Sequence, residues 1–276
     1  MVRSVRAPSF LYGTAWKEND TRRLVRLALD AGFRGIDTAN QRKHYHEVGV
    51  GEALAEAIAA GTVTRDAVFL QTKFTHIGGQ DQRLPYDADA PVAKQVEQSF
   101  ASSLEHLRVA TIDSYVLHGP SFRDGLAPED IEAWQAMEAI HASGRARLLG
   151  VSNVSRGQLE ELCSRSKEPP AFVQNRCYAR TGWDRGVRSF CRERGIVYQG
   201  FSLLTANREE VASAAMKKIA ARAKLTPSQV VFRFALEVGM LPLTGTKSPE
   251  HMREDLAVHE HALTEDEVRR VEAIGT

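Results

Sequence analysis

Short apolar runs rich in β-branched and aromatic residues alternate with longer amphipathic segments, and the alternation continues from one end of the chain to the other. The apolar runs predict eight strands: Phe10 to Thr14, Phe33 to Thr38, Val68 to Lys73, Ile112 to His118, Leu148 to Ser152, Phe172 to Asn175, Ile196 to Phe201 and Leu241 to Thr244. The segments between them carry helix boundaries. Asn19-Asp20-Thr21 opens one that stops at Ala31-Gly32, and others begin near Pro91, Pro128, Ser155, Asp184, Asn207 and Thr226, the last with Pro227 just inside the start.

Eight strands each followed by a helix, with no low-complexity linker and no shift in composition, predict an α/β protein built as one (β/α)8 barrel, the TIM barrel, over residues 1–276. The alternative, an open doubly wound sheet, calls for a glycine-rich fingerprint after the first strand. Gly13-Thr14-Ala15-Trp16 does not supply it.

Composition narrows the function classes. The 276 residues are 43% hydrophobic and 26% charged, enough to bury a large core. The net charge is +1, with both signs interspersed, so neither a nucleic acid nor a membrane is expected as a partner. The first residues, Met1 to Arg6, contain no apolar stretch of signal-peptide type, and the expected location is cytoplasmic. Cys163, Cys177 and Cys191 are odd in number and form no C-x-x-C pair, which predicts reduced structural thiols.

In such a barrel the chemistry sits where strands end and βα loops begin. The second strand ends in Ile36-Asp37-Thr38, the loop after it holds Tyr45, the third ends in Thr72-Lys73 and the fourth in Leu117-His118. Singly, each has a plainer explanation: a capping Asp, a Lys reaching solvent, a His satisfied in the core. Together they make a chemical set. An Asp beside the Lys keeps it protonated; the ammonium would bring the Tyr45 hydroxyl down from its usual value; that hydroxyl could hand a proton to a carbonyl oxygen held by His118. His44-x-His46 has no further ligand cluster around it, so no metal is expected.

The motifs carrying this set resemble the aldo-keto reductase family. Gly32-Phe33-Arg34-Gly35-Ile36-Asp37-Thr38-Ala39 followed by Tyr45-His46-Glu47-Val48-Gly49-Val50-Gly51-Glu52-Ala53-Leu54 is similar to its G-F-R-x-I-D-T-A and Y-x-N-E-x-x-V-G-x-A-L signatures. Phe69 to Lys73, Ser114 to Pro120 and Leu149 to Asn153 resemble F-x-x-T-K, L-x-H-x-P and I-G-V-S-N, in the family order. The stretch from Asp37 to Tyr45 is longer than the common spacing, with Asn40 to His44 intervening.

The resemblance implies hydride transfer between a nicotinamide cofactor and a small carbonyl substrate, with Asp37, Tyr45, Lys73 and His118 as the catalytic tetrad. It implies NADPH as the cofactor, with NADH as the weaker choice. Gly13, Thr14, Ser152, Asn153, Gln174, Phe201, Ser202 and Leu204 fall at cofactor positions, with Phe201 where an aromatic stacks on nicotinamide. Gly245, Thr246, Lys247, His251, Glu254 and Asp255 fall at its adenosine end, where Lys247 and Arg253 stand in for the usual basic residues. Trp16, His76 and Gly119 fall at the substrate pocket; Gly119 stands where a tryptophan is common, which implies broad acceptance of bulky or planar carbonyls. The expected assembly is a monomer or weak homo-oligomer. The rival reading is a regulatory barrel that binds the cofactor and senses redox state with little turnover.

Overall fold

The computed structural model describes residues 7–276. Eight strands, β1 (Leu11–Gly13), β2 (Gly35–Asp37), β3 (Phe69–Phe74), β4 (Ile112–Leu117), β5 (Ala146–Ser152), β6 (Phe172–Arg176), β7 (Val197–Phe201) and β8 (Met240–Thr244), follow one another around a closed barrel. Every neighbouring pair is parallel. β8 closes on β1 through Leu11 opposite Leu243 and Tyr12 opposite Thr244.

The helices are α1 (Thr21–Ala31), α2 (Glu47–Ala59), α3 (Val92–Leu107), α4 (Pro128–Ala142), α5 (Arg156–Arg165), α6 (Arg185–Arg194), α7 (Arg208–Ala212), α8 (Ala214–Ala223), α9 (Pro227–Glu237), α10 (Pro249–Ala257) and α11 (Glu265–Ala273). All eight predicted strands are present, although β1 and β2 have only three residues each in the ladder. The helix expected from Asn207 is split. Ser213 adopts an extended backbone and its side chain accepts a hydrogen bond from Met216 N, which ends α7 and caps α8.

Period-two alternation sorts each strand between two cores. Leu11, Phe69, Phe172 and Leu241 cluster together as the apolar floor inside the barrel. Residues one step along, such as Ile36, Leu70, Val173 and Tyr198, belong to the larger cluster between sheet and helices. That outer layer is tight enough that Gly51 of α2 lies against the backbone of His106 and Leu107, where a Cβ would overlap. Among the described residues no helix is long and apolar enough to cross a membrane.

Candidate active site

The alternation that puts Phe69 on the barrel floor also puts Gln71 and Lys73 on the same face of β3, and it does the same for Asp37 on β2, Gln174 on β6 and Gln199 on β7. A polar layer therefore lies directly above the apolar floor. At its centre Lys73 is fully buried and Asp37 retains 2% exposure. The Lys73 ammonium donates to both Asp37 oxygens at 2.7 Å and to Thr38 O at 2.8 Å, so its three N–H groups are all engaged. Burial pulls the ammonium below the ordinary lysine value and Asp37 opposes that pull.

Tyr45 lies over this pair, with Lys73 Nζ 5.1 Å from its ring centroid, and meets the His118 ring edge-on at a centroid distance of 5.8 Å. The expectation that Lys73 lowers the Tyr45 hydroxyl is corrected here. Burial, with the Asp37 charge adding to it, raises the phenol well above its usual value. The ammonium is neutralised by Asp37, and its N–H groups point elsewhere. A phenol raised in this way keeps its proton at neutral pH. His118 moves the other way: burial, then the charges of Lys73 and His44, push it well below 6.5, so it is a neutral imidazole. Its Nδ1 lies 2.7 Å from Thr75 Oγ1. If the threonine hydroxyl donates, the remaining proton is on Nε2, the tautomer suited to donate to a carbonyl oxygen.

The positions assigned to the nicotinamide carboxamide also come together. Ser152 Oγ donates to Gln174 O at 2.6 Å, Asn153 Nδ2 donates to His118 O at 2.8 Å and to Ser152 Oγ at 3.1 Å, and Asn153 holds a left-handed backbone with φ of 55°. Gly119 faces Asn153 across ordinary van der Waals distance. Phe201 is half-buried at the end of β7, Ser202 beyond it has φ of 56°, and Leu204 packs on the core. On the other side of the mouth, Thr14 N and Oγ1 both donate to Asp37 O at 3.0 Å, and a Cβ on Gly13 would come within 2.5 Å of Leu243.

With this geometry the comparisons are unambiguous. The model of the aldo/keto reductase family matches residues 10–276. The chain belongs to the aldo-keto reductase family. It is 32% identical to deoxymugineic acid synthase 1-A of Triticum aestivum over 279 residues, covering 94% of this chain and 83% of that one. It is 31% identical to D-galacturonate reductase of Fragaria ananassa over 265 residues, covering 88% and 78%. A crystal structure of a Bombyx mori aldo-keto reductase in complex with NADP superposes with a TM-score of 0.81 at 25% identity, over 97% of this chain and 89% of that chain.

Three neighbours of the aldo-keto reductase site escaped sequence reasoning. Thr75 lies two residues past the Phe69 to Lys73 motif, and nothing local marks it as the partner of His118. His44, weighed only as a metal ligand, packs its ring 3.9 Å from that of Trp16, whose backbone N donates to His44 O. The extra residues before Tyr45 thus pack against the loop after β1. The third is Lys17, buried at 3% exposure, with its amine over the Tyr12 ring and donating to Gly245 O at 2.9 Å. Burial, then the charge of Lys247, lowers it to about 8. The spacing of Trp16-Lys17 after Gly13-Thr14 was the available signal.

The remaining predicted positions are distributed unevenly. Thr246 is held by Tyr12 Oη through its carbonyl; Lys247 and His251 are exposed, with Ser248 capping α10 between them, and Glu254 is half-exposed. His76 faces away to α4, with Nε2 3.0 Å from the fully buried Asp130. Among the described residues no group of three or more His, Cys, Asp or Glu side chains is placed to hold a metal ion.

Asp255 is buried at 4% exposure beside Thr244, and burial raises its carboxyl from 3.8 to about 6. A carboxyl raised on folding destabilises the protein once ionised. The cost is fully present above pH 6 and is relieved as pH falls from 6 toward 4, amounting to about 3 kcal/mol at most. Asp255→Asn is therefore expected to raise stability at pH 7.5 and to lose about two-thirds of that advantage by pH 4.5. Urea denaturation at the two pH values checks this, and an equal difference at both would contradict the assignment.

Proposed function

We propose that the chain reduces aldehydes or ketones to alcohols with NADPH, using Tyr45 as the general acid. The observation that carries the reading is the convergence of Asp37, Lys73 and His118 at the ends of neighbouring strands, with Tyr45 from the loop after β2, around one buried ion pair. The residues present fit a nicotinamide dinucleotide phosphate. Lys17 is buried beside Lys247, and among the described residues its amine has no carboxylate partner, an arrangement that favours an anion. Ser152, Asn153 and Gln174 would hold the carboxamide, and Phe201 the ring.

When bound, the cofactor supplies hydride to the carbonyl carbon. The substrate oxygen is held by neutral His118 and takes its proton from Tyr45, which the raised phenol keeps available at neutral pH. Asp37 keeps Lys73 in place against the Tyr45 ring. Water is kept from the ion pair by its burial, so these charges act at short range in a medium of low dielectric.

The substrate side is open and apolar. Trp16, Ile77 and Phe122, on the loops after β1, β3 and β4, are three of the four exposed large hydrophobic residues among the described ones. Together with Gly119 they favour bulky or planar carbonyls over small polar ones. A panel of aromatic aldehydes, quinones, ketones and short aldehydes, read by oxidation of NADPH and of NADH, tests the function. Turnover of planar carbonyls with NADPH is expected. Cofactor binding without turnover of any class would favour the regulatory barrel.

The cofactor assignment carries its own prediction. A buried charge loses more than an exposed one, so Lys17→Met should weaken NADPH binding by about 10- to 100-fold, and Lys247→Ala by about fivefold or less. Fluorescence titration compares them, with NADH binding changed less. A larger effect at Lys247 would move the phosphate contact outward. Three free cysteines, two of them buried, are compatible with the cytoplasmic location, and the chain is read as acting as a monomer or weak homo-oligomer.

A further inference from the structure

The polar layer contains three glutamines that neither the tetrad nor the family motifs account for as a group. Gln71, Gln174 and Gln199 are 0%, 3% and 0% exposed. Gln71 and Gln199 pair face to face across the barrel, each amide donating to the other's oxygen at 2.8 and 3.0 Å. Gln71 Nε2 also donates to Asp37 Oδ1 at 2.7 Å. Gln174 Nε2 donates both to Asp37 Oδ1 at 3.0 Å and to Gln199 Oε1 at 2.9 Å.

The direction of every bond follows from one fact. An ionised carboxylate can only accept, so both amides that touch Asp37 Oδ1 must present nitrogen to it. Gln71 then has one N–H left, which goes to Gln199 Oε1, and its own oxygen receives Gln199 Nε2. Gln174 likewise spends both N–H groups, on Asp37 and on Gln199, and its Oε1 takes none of the network's bonds. An amide that could otherwise rotate end for end is held in one sense, because turning Gln174 would set its oxygen against two acceptors, Asp37 Oδ1 and Gln199 Oε1, in a buried site.

We propose that Gln71 and Gln199 are positioning residues that lock Gln174 with its oxygen available to accept from the nicotinamide carboxamide, tying cofactor orientation to the charge on Asp37. The inference rests on the NADPH reading of the site. It assigns no catalytic step to Gln71 or Gln199; they act through Gln174 and Asp37.

The test uses NADP+ and its 3-acetylpyridine analogue, in which a methyl group replaces the carboxamide NH2 and removes the donor that Gln174 Oε1 would accept. Binding is followed by quenching of protein fluorescence. The native protein is expected to prefer NADP+ by about fivefold or more, the worth of one neutral hydrogen bond. In Gln199→Met, close in volume but unable to hold Gln174, that preference should fall to about twofold or less. A purely structural loss would weaken both dinucleotides alike and leave the ratio unchanged, which would overturn the inference. Gln71→Met breaks the same pair from the other strand and reads the same ratio if Gln199→Met does not fold. A native protein that binds both dinucleotides equally would also overturn it. One that binds neither would overturn the proposed function and this inference with it.

Discussion

Tyr45→Phe is expected to reduce kcat for carbonyl reduction by about 10²- to 10⁴-fold, the range for a positioned general acid. The hydroxyl is the only group removed. The ring stays over Lys73 and against His118, and both contacts are made by its carbon framework. Cofactor affinity should be nearly unchanged, because none of the groups assigned to the dinucleotide touches the phenol oxygen. Single-turnover reduction with saturating NADPH measures the chemical step, and fluorescence titration measures binding. A variant that keeps a substantial share of native turnover in that step would remove Tyr45 from its role. One that loses cofactor binding in proportion to turnover would show that the effect is not on proton transfer.

Lys73→Met should damage both stability and catalysis. The methionine fills much the same space, but it leaves the Asp37 carboxyl at 2% exposure without its counter-charge, with the amides of Gln71 and Gln174 donating to it. Removing one member of a buried ion pair costs about 3 to 5 kcal/mol. In a domain of this size that is a fall in melting temperature on the order of 10 °C. The double variant Asp37→Asn, Lys73→Met carries no buried charge there and should recover part of the loss while remaining inactive. Thermal and urea denaturation of the three proteins decide it. A single variant as stable as the native protein would mean that the pair is far better solvated than its burial indicates.

These two variants separate kinds of residue that look alike in the sequence. Asp37, Lys73 and His118 were legible because period-two alternation fixes which face of a strand is apolar and which residues end it, and a polar residue at such an end is conspicuous. Tyr45 was legible as the one tyrosine in the loop after β2, despite the longer spacing before it. The loop itself was not. Its register depends on Tyr45 N and His44 N both donating to Gln41 O and on Trp16 N reaching His44 O, contacts between segments whose sequence distance says nothing about their approach.

The direction of the Tyr45 shift was misjudged for a related reason. From the sequence, a lysine near a tyrosine favours the phenolate; in the folded protein the lysine has already given its charge to Asp37, and the phenol is buried. His76 shows the same limit. Its place after β3 marks it for the pocket, and its 3.0 Å approach to Asp130 of α4 is a contact the sequence does not announce.

The sequence by itself determined the number and order of strands, the closed α/β architecture and the strand-end positions of Asp37, Lys73 and His118, because local periodicity and strand-end position are properties of the chain. Only the tertiary structure decided the partners. Gln71 meets Gln199 across 128 residues, Gln174 meets Asp37 across 137, and Lys17 meets Gly245 across 228. Closing the barrel brings these groups within hydrogen-bond distance and takes them out of water. Which donor then faces which acceptor, and which charge is left for chemistry, follows from competition inside that small buried volume, and no single strand encodes its outcome.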